Sequence, residues 1–421
     1  MHPRFWFFGT LFIILIAIDI YAFQAVKSIS NGYASFTKKI IYTIYWLFTL
    51  VLFLSITSYL IGWYELLSKT LQTFIRAGLF IIYFSKIFLV CFVIIDDIIR
   101  LFTWSYQKIS LLFNQGETIS SSGNKITRSD FLMKTGIIVA SIPLTAMTWG
   151  IASGAYDYRI RKRTISLPNL PKAFDGIRIV QLSDIHSGSF YNKNAVMGGI
   201  EMAMNEKPDI IFFTGDLVNN DSHEVEDYIN VFDKVKAPLG VYSILGNHDY
   251  GDYKQWSSPK AKIKNLEDLK DAHKLLGWDL LLNENRIIEQ GGDKLAIIGI
   301  ENWSAVGNFQ KYGKIDQAVI GTEECSTKLL LTHDPSQWEA QVLKNHKDID
   351  ISFAGHTHGM QFGVEIGNFR WSPVQYVYKQ WADLYQEHSQ YLYVNRGFGF
   401  IGYPGRVGIL PEITVMELKR A

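Results

Sequence analysis

The chain contains 421 residues with a formal net charge of +1 at pH 7, and 48% of its residues are hydrophobic. This length predicts at least two domains, and the near-neutral charge gives no electrostatic argument for a nucleic-acid partner. The two cysteines are Cys91, inside an apolar segment, and the isolated Cys325. They provide no disulfide that would identify the redox compartment.

The N-terminal part is far more apolar than the rest and predicts an α-helical membrane domain over residues 1–155, followed by a linker at 156–171. A bilayer crossing needs about 20 mostly apolar residues. Four stretches meet this length, near Phe5–Phe23, Ile40–Gly62, Ala77–Ile95 and Phe131–Trp149. Buried helices of a soluble domain are the alternative, but soluble domains rarely contain so many apolar segments of this length.

Some segments of the membrane half have ambiguous patterns. Asp19 and Lys86 lie within apolar spans, where ionisable groups are costly, and we expect them to snorkel toward the headgroups rather than to serve a function. The segment Asp96–Phe113 either extends the third helix or lies along the interface. Ser120–Asn124 is rich in serine and predicts a flexible turn.

Basic residues do not decide which side of the membrane carries the C-terminal domain. Arg159, Arg161, Lys162 and Arg163 follow the last span and favour the cytoplasm by the positive-inside rule. A second basic group precedes the same span and opposes that orientation. It comprises Arg100, Lys108, Lys125 and Arg128. The sequence therefore predicts an integral membrane protein, of the bacterial cytoplasmic membrane, without assigning the side.

Residues 172–421 alternate between apolar runs and helical patterns, which predicts an α/β domain. Helical spacing is found at Asn194–Asn205 and Glu224–Val235. The predicted strands are Ile177–Leu182, Asp209–Thr214, Val241–Leu245, Lys328–Thr332 and Ile349–Ala354.

A polar cluster follows each of these strands. The clusters are Asp184-Ile185-His186, Gly215-Asp216, Gly246-Asn247-His248-Asp249, His333 and Gly355-His356-Thr357-His358. Open α/β sheets place ligand sites at the carboxyl ends of their strands. The clusters supply carboxylate, imidazole and amide groups and no thiolate, a set that suits divalent metal ions and argues against a zinc ribbon or an iron–sulfur cluster.

Each cluster alone is a weak signal. Asp-x-His is also found in loop hydrogen bonds, Gly-Asp is a common turn, and a lone His333 is more often a satisfied core residue. Their conjunction, in order and at one topological position, predicts a site that holds two metals for in-line displacement at phosphorus.

The ordered motifs Asp-x-His, Gly-Asp, Gly-Asn-His-Asp, His and Gly-His-x-His resemble the calcineurin-like metallophosphoesterase superfamily over about Ile177–Leu418. The preceding spans resemble its transmembrane branch, which is related to YkuE/YaeI-type phosphodiesterases and to UDP-2,3-diacylglucosamine hydrolases. The fold implied by this resemblance is a four-layered α/β/β/α sandwich preceded by an α-helical membrane domain of about four spans. The implied activity is metal-dependent hydrolysis of a phosphoric ester.

The resemblance also implies site roles. Two divalent ions (Mn, Fe or Zn) are expected, and His248 is expected to stand off them and donate to the phosphate or the leaving oxygen, with Asp249 orienting its ring. The implied ligands are Asp184, His186 and His358 for one ion, Asn247, His333 and His356 for the other, and Asp216 as the bridge. One position departs from the family pattern: Met360 stands where a second glycine usually follows Gly359.

The substrate is predicted from composition near the motifs. Tyr250–Trp278 and Phe369–Tyr393 mix aromatic and basic residues, which suits a phosphate on an apolar group; a packed cap is the alternative. Membrane anchorage favours a phosphorylated, lipid-linked substrate such as a UDP-diacylglucosamine-type glycolipid precursor or a phospholipid. Alternatives are a phosphatase for soluble nucleotides or phosphoproteins, and a transporter with a regulatory phosphoesterase domain. A catalytically dead module would have lost a ligand, and none is missing.

Overall fold

The computed structural model describes residues 3–113, 128–367 and 369–421. The chain divides into two compact units, Met1–Thr148 and Trp149–Ala421. The predicted turn at Ser120–Asn124 lies outside the described residues.

The first unit consists of long helices, and their length and apolar composition confirm the prediction of a membrane protein. They are α1 (Pro3–Ser30), α2 (Ser35–Leu60), α3 (Lys69–Phe113) and α4 (Arg128–Ala152). Each contains a stretch long and apolar enough to cross a bilayer. Residues 96–113 continue α3, so the segment extends the third helix. Large apolar side chains such as Phe36 and Leu101 are exposed on this unit, as expected for surfaces that face lipid.

Asp19 and Lys86 do not snorkel, and that expectation is wrong. The fully buried Asp19 carboxylate forms an ion pair with Lys86 Nζ. It also accepts hydrogen bonds from Thr49 Oγ1 and from the Tyr83 hydroxyl, both at 2.6 Å. Because partners from three helices satisfy both charges, neither side chain has to reach the headgroups.

Removing one partner of this pair is expected to destabilise the membrane unit strongly. Asp19→Leu leaves the Lys86 ammonium buried without a counter-ion, which should cost about 3–5 kcal/mol of unfolding free energy. The double variant Asp19→Leu/Lys86→Leu removes both charges and should recover most of that loss. Denaturant unfolding of the full chain in detergent micelles measures both. Equal stability of the single variant and the wild type would show that the pair contributes nothing.

The second unit is built from short strands joined by helices. Its strands are β1 (Arg159–Leu167), β2 (Arg178–Leu182), β3 (Ile210–Phe213), β4 (Val241–Ser243), β5 (Asp279–Leu280), β6 (Glu284–Gln290), β7 (Asp293–Gly299), β8 (Thr327–Leu331), β9 (Ile351–Ala354), β10 (Val364–Ile366), β11 (Phe369–Trp371), β12 (Asp383–Glu387), β13 (Gln390–Val394) and β14 (Glu412–Arg420). Its α-helices are α5 (Lys193–Asn205), α6 (Ile229–Phe232), α7 (Pro259–Leu276), α8 (Ile315–Ala318) and α9 (Leu343–Asn345). The helix predicted at 224–235 is instead a 3₁₀ segment, Ser222–Tyr228, followed by the short α6.

Within the described residues the strands form two six-stranded sheets and one hairpin, β10–β11. The first sheet has the order β1-β14-β2-β3-β4-β5 and is parallel except for the β14–β2 pair. The second has the order β12-β13-β9-β8-β7-β6, with antiparallel pairs at its two edges. The strands that precede the polar clusters run parallel to one another within each sheet: β2, β3 and β4 in the first, and β8 and β9 in the second.

The segment predicted as a linker is not one. Residues 159–167 form β1, which pairs in parallel with β14 from Arg159↔Glu412 to Leu167↔Arg420. Its alternating charged residues resemble a solvated linker because β1 is an edge strand with one face in water, while Ile165 and Leu167 on its other face are buried.

Buried side chains alternate along the strands and separate the layers. Ile179 of β2 and Phe212 of β3 lie in a core between the two sheets, whereas Val180 and Phe213 lie in a second core under α5 and α7. A third core packs the other face of the second sheet against the helical segment around Trp338. The result is the predicted four-layered α/β/β/α sandwich, which is confirmed.

Candidate metal centre

The strand-end loops bring the predicted ligands of the first metal together. His186 Nε2 lies 3.0 Å from His358 Nε2, and His358 Nε2 lies 3.2 Å from Asp184 Oδ1. His186 Nε2 is also 3.5 Å from Asp216 Oδ2. Asp184 and His186 are fully buried, and Asp216 is 1% exposed. These loops follow β2, β3 and β9, so the cluster is assembled across both sheets.

The predicted ligands of the second metal converge beside the first group. His333 Nε2 lies 3.2 Å from Asp216 Oδ2 and 3.1 Å from Asn247 Oδ1. His356 Nδ1 lies 2.8 Å from the same Asn247 oxygen. Asp216 therefore lies between the two groups. Asp184 also approaches His333 closely enough to share an ion with it and Asp216, and this closeness of Asp184 to His333 was not predicted from the sequence.

The geometry and chemistry of these side chains fit divalent metal ions. Donor atoms that share one ion at a ligand distance of about 2.1 Å lie roughly 3–3.5 Å apart, as they do here. Two buried carboxylates close to several imidazoles are a donor set that a cation satisfies better than water does. Among the described residues, His186 Nδ1 has no hydrogen-bond partner, so no hydrogen bond to this second ring nitrogen fixes the orientation of the ring.

Motif glycines make room for the cluster. A Cβ on Gly246 would overlap the Asp216 carboxylate, and a Cβ on Gly355 would overlap Ser183 Oγ and the Asp184 carboxylate. Gly215 has φ +94°, and its Cβ would lie 2.8 Å from His333 Nδ1. Glycine is thus required at these motif positions, because the backbone there lies so close to the ligand side chains that no Cβ atom fits.

Several candidate ligands have a left-handed backbone conformation, which is uncommon outside glycine. They are Asp184 (φ 53°), His186 (φ 49°), Asp216 (φ 60°), His356 (φ 70°) and His358 (φ 50°). Such conformations cost of order 1–3 kcal/mol each and cluster where a site requires them. Sharp turns directly after the strands aim the ligand side chains at one centre instead of along the strand.

Met360 has the same conformation, with φ 54°, and its side chain is 57% exposed. This conformation explains why glycine suits the position in the family pattern, since glycine adopts it without a steric penalty. The exposed methionine side chain contributes apolar surface to the loop that carries His356 and His358.

Asp249 does not orient the His248 ring, and that expectation is wrong. Its Oδ2 accepts the backbone N–H groups of Asp216 and Gly246 at 2.8 and 2.9 Å, and its Oδ1 accepts those of Leu217 and Val218. Asp249 therefore fastens the loop after β3 to the loop after β4. This role places Asp216 and Asn247 at a fixed separation.

His248 is held instead by a main-chain carbonyl. Its Nδ1 lies 2.8 Å from the carbonyl oxygen of Asn219, which can only accept, so Nδ1 carries a proton. Its ring lies edge-on to His186, with centroids 5.0 Å apart, and against Tyr253 at 4.4 Å. The half-buried ring leaves Nε2 as the atom available to a substrate beside the two ligand groups.

Several groups that hold the candidate ligands in place were not predicted from the sequence. His333 Nδ1 donates to the Thr214 carbonyl at 2.7 Å, so its Nε2 faces the site. His356 Nε2 lies 2.9 Å from the Tyr378 hydroxyl and 3.3 Å from the buried Asp334 carboxylate. Asp334 follows His333 directly in sequence, and this adjacency was the available signal.

The fully buried Arg406 supports the other group. Its Nη2 lies 3.2 Å from His358 Nδ1, and its Nε donates to the Gly399 carbonyl at 2.9 Å. A guanidinium only donates, so it acts as a fixed positive group behind the ring. Nothing local to residue 406 in the sequence predicts this contact, because about fifty residues separate it from His358.

The buried charges determine which of these side chains carry a proton before an ion binds. Burial alone would raise the pKa of Asp216, but the imidazoles around it hold that pKa well below its ordinary value. Burial lowers the pKa values of His186 and His356. Burial would also lower the pKa of His333, yet the Asp216 carboxylate beside it raises that pKa to about 10. His333 is therefore protonated at neutral pH.

Metal loading is expected to release about one proton at pH 7, because an ion can use His333 Nε2 only after its proton leaves. Apparent affinity should consequently increase with pH below about 10, by up to tenfold per unit. Calorimetric titration of Mn²⁺ into metal-stripped protein, in two buffers of different ionisation enthalpy, measures the release. His333→Asn should release less. Identical heats in both buffers would contradict the predicted protonation.

Fold and site together define a metal-dependent phosphoric ester hydrolase anchored by transmembrane helices. Residues 177–360 match the family model of calcineurin-like phosphoesterases, and residues 3–155 match that of the probable calcineurin-like phosphoesterase transmembrane domain. The chain belongs to the calcineurin-like metallophosphoesterases and carries this transmembrane domain. The resemblance drawn from the motifs is thereby confirmed.

Relatives are found in bacteria and animals. The chain is 29% identical over 308 residues to the uncharacterized metallophosphoesterase YkuE of Bacillus subtilis, which covers 70% of this chain and 98% of that protein. It is 27% identical over 292 residues to a transmembrane protein with metallophosphoesterase domain of Danio rerio, covering 67% and 63% respectively. It is also 25% identical over 320 residues to a metallophosphoesterase of Helicobacter pylori, covering 75% and 76%. The match therefore spans less than two thirds of the Danio rerio protein.

Proposed function

We propose that this membrane enzyme hydrolyses a phosphodiester or pyrophosphate bond in a lipid-linked substrate, such as a UDP-diacylglucosamine-type glycolipid precursor or a phospholipid, in the bacterial cytoplasmic membrane. The observation that carries the proposal is an exposed apolar rim on the loops beside the candidate metal centre. The rim comprises Met360 (57% exposed), Ile366 (73%), Phe369 (62%), Tyr376 (77%) and Val377 (59%).

The rim is connected directly to the candidate ligands. Met360 follows His358 by two residues, and the Gly359 carbonyl between them accepts a hydrogen bond from Ser372 Oγ at 2.8 Å. Val377 precedes Tyr378, whose hydroxyl contacts His356. Large apolar side chains exposed along one stretch of chain commonly mark a surface for an apolar ligand or a membrane. An acyl chain bound to this surface would bring its phosphate to the site.

Surface lysines support the proposal less than their sequence pattern suggested. Lys254, Lys262 and Lys264 are engaged in ion pairs with neighbouring aspartates. Of the aromatic residues in the same segments, Tyr250 and Trp381 are buried and pack in the core. Apolar exposure therefore favours the lipid-linked class more than basic charge does, and it gives no support for a nucleic-acid substrate. Anchoring also raises the effective concentration of substrates in the same bilayer.

Within this proposal Asp184, His186 and His358 would hold one divalent ion, Asn247, His333 and His356 would hold the other, and Asp216 would be a ligand common to both. Mn²⁺, Fe or Zn²⁺ suits this donor set. Bound ions would neutralise phosphoryl oxygens and lower the pKa of water to supply a nucleophile near neutral pH. His248 presents Nε2 to the phosphate or leaving oxygen, and its Nδ1 contact with the chain keeps the ring in place.

A substrate screen on the detergent-purified, Mn²⁺-loaded full chain tests the proposal. It compares bis-p-nitrophenyl phosphate, nucleotide-sugar lipids, phospholipids, soluble nucleotides and phosphopeptides. The proposal expects the highest kcat/KM on a lipid-linked substrate. Turnover of nucleotides or phosphopeptides with none of any lipid would instead identify a soluble-substrate phosphatase.

Polar substitution in the rim is expected to affect lipid substrates selectively. Phe369→Ser should lower kcat/KM on a vesicle-borne lipid substrate by roughly tenfold, because an apolar side chain that becomes buried on binding contributes about 1.5 kcal/mol or more. Hydrolysis of bis-p-nitrophenyl phosphate should stay unchanged. Ile320→Ser is the matched control, since Ile320 is 68% exposed and lies outside the rim. Equal losses on both substrates would contradict a role in lipid contact.

A further inference from the structure

The membrane unit contains a cavity that the catalytic chemistry does not explain. Its volume is about 710 Å³, within the range of small-molecule sites. All four long helices line it. The polar and aromatic groups of the lining that bear on a ligand are Phe23, Lys27, Asp96, Asp97, Arg100 and Ser129.

The lining is amphipathic. Ile20, Val93 and Met133 lie toward the apolar interior of their helices, whereas Lys27 lies near the C-terminus of α1 and Ser129 near the N-terminus of α4. Polar groups thus gather where the first helix ends and the fourth begins. This arrangement suits a ligand with a polar head and apolar chains, positioned at the level of the lipid headgroups.

Asp96 is the buried polar group that points to a ligand. It is 3% exposed; its Oδ2 lies 2.7 Å from Arg100 Nε and accepts a hydrogen bond from Ser129 Oγ at 2.9 Å. Its Oδ1 has no partner among the described residues. A buried carboxylate oxygen without a donor is costly, so a ligand that donates a hydrogen bond there would be stabilised.

Basic side chains supply the complementary contact. Lys27 Nζ lies 5.0 Å from the centroid of the Phe23 ring, and none of the ion pairs formed by the described residues includes Lys27. Arg100 Nη2 donates to Ser129 Oγ at 2.7 Å, and its side chain is 63% exposed. Lys27 is therefore available to an anionic oxygen, with the aromatic ring beneath it limiting its motion. Arg100 is already paired with Asp96, and it can add a contact through the exposed part of its side chain.

We propose that this cavity binds the headgroup of a zwitterionic phospholipid with a primary ammonium, as in phosphatidylethanolamine. The ammonium donates to Asp96 Oδ1, and Lys27 and Arg100 contact the phosphate. Two basic and two acidic side chains line the cavity, with Asp97 as the second acid, so a ligand of zero net charge leaves no uncompensated charge at the bilayer edge. A quaternary ammonium has no hydrogen to donate, and an anionic lipid has no cation for Asp96.

Native mass spectrometry of the full chain tests the proposal. The protein is mixed with equal amounts of phosphatidylethanolamine, phosphatidylcholine and phosphatidylglycerol of identical acyl chains, with EDTA present to prevent hydrolysis. We expect retention of phosphatidylethanolamine to exceed that of each other lipid by roughly tenfold, the ratio given by one charge-assisted hydrogen bond. Equal retention of all three lipids would overturn the proposal. So would equally tight binding of soluble phosphoethanolamine, because a free metabolite would then be the better ligand.

Two variants with matched controls locate the site. Asp96→Asn should remove the preference for phosphatidylethanolamine, and Glu65→Gln, an exposed change on the same unit outside the cavity, should keep it. Lys27→Gln should lower retention of phosphatidylethanolamine, and Lys39→Gln should not. Lys27 is exposed, so its variant folds even where loss of the Asp96 contacts impairs folding. Wild-type lipid preference in both cavity variants would overturn the assignment.

Discussion

Asp216→Asn is expected to lower kcat/KM by at least about 10³-fold while the fold stays intact. Asp216 Oδ2 lies within 3.5 Å of His186 and of His333, so this carboxylate is the group common to both proposed metal sites. An amide of the same size still accepts the backbone N–H of His248, which now donates to Asp216 Oδ1 at 2.9 Å. The amide carries no charge, however. The electrostatic field of fixed charges is expected to make the largest contribution to the catalysis of phosphoryl transfer.

The measurement combines hydrolysis of bis-p-nitrophenyl phosphate, metal content and thermal unfolding of the purified full chain. Loss of turnover with an unchanged unfolding midpoint separates the loss of function from the loss of structure. Asp227→Asn is the control, because Asp227 is an exposed aspartate of the same unit that belongs to neither candidate ligand group. Near-normal hydrolysis by Asp216→Asn would remove the basis for the proposed di-metal site.

His248→Ala is expected to slow the chemical step by roughly 10²–10⁴-fold without releasing metal. The His248 ring is anchored to the Asn219 carbonyl and is half-buried beside the candidate ligands, but its side chain is absent from the close donor-atom contacts of either group. It is therefore placed to donate to the substrate, and kcat should fall more than the affinity for the ions.

Single-turnover kinetics and metal analysis of the same preparation distinguish these effects. His223→Ala is a suitable control, since the His223 side chain is 71% exposed and pairs with Asp221 and Glu226, neither of which is a candidate ligand. A His248→Ala protein that has lost its metal would show that His248 is a ligand, and the donor role would have to be abandoned. Retained metal with a normal rate would equally exclude it from the reaction.

The Asp249 result shows why adjacent motif residues can have unrelated roles. His248 and Asp249 are neighbours in sequence, which suggested an imidazole–carboxylate pair. Their side chains diverge at this turn: Asp249 turns inward to accept backbone N–H groups from two loops, and His248 turns toward the cleft. The direction of a side chain at a turn depends on the packing of distant loops, which a linear motif does not encode.

Local sequence patterns were sufficient to predict the membrane helices and the strands that precede the candidate ligands. Continuous apolar stretches identified the membrane helices, and apolar runs ending in Asp, His or Gly-Asn-His identified the strand ends that carry the candidate ligands. Both signals succeed because hydrophobic burial and strand-end turns act on neighbouring residues. Parallel strands of one sheet end at the same edge, so the proximity of the loops that carry Asp184 and Asp216 followed from the sequence. His356 follows a strand of the second sheet, and only the packing of the two sheets brings it to them.

Contacts between distant segments were decided only by the tertiary structure. Pairing of β1 with β14, the Asp19–Lys86 ion pair, and the support of His356 by Tyr378 and of His358 by Arg406 all join residues that no local pattern relates. Each depends on which side chains meet when separate elements pack. An edge strand and a linker, or a paired and a snorkelling lysine, have the same sequence signature; only the position of the partner in space distinguishes them.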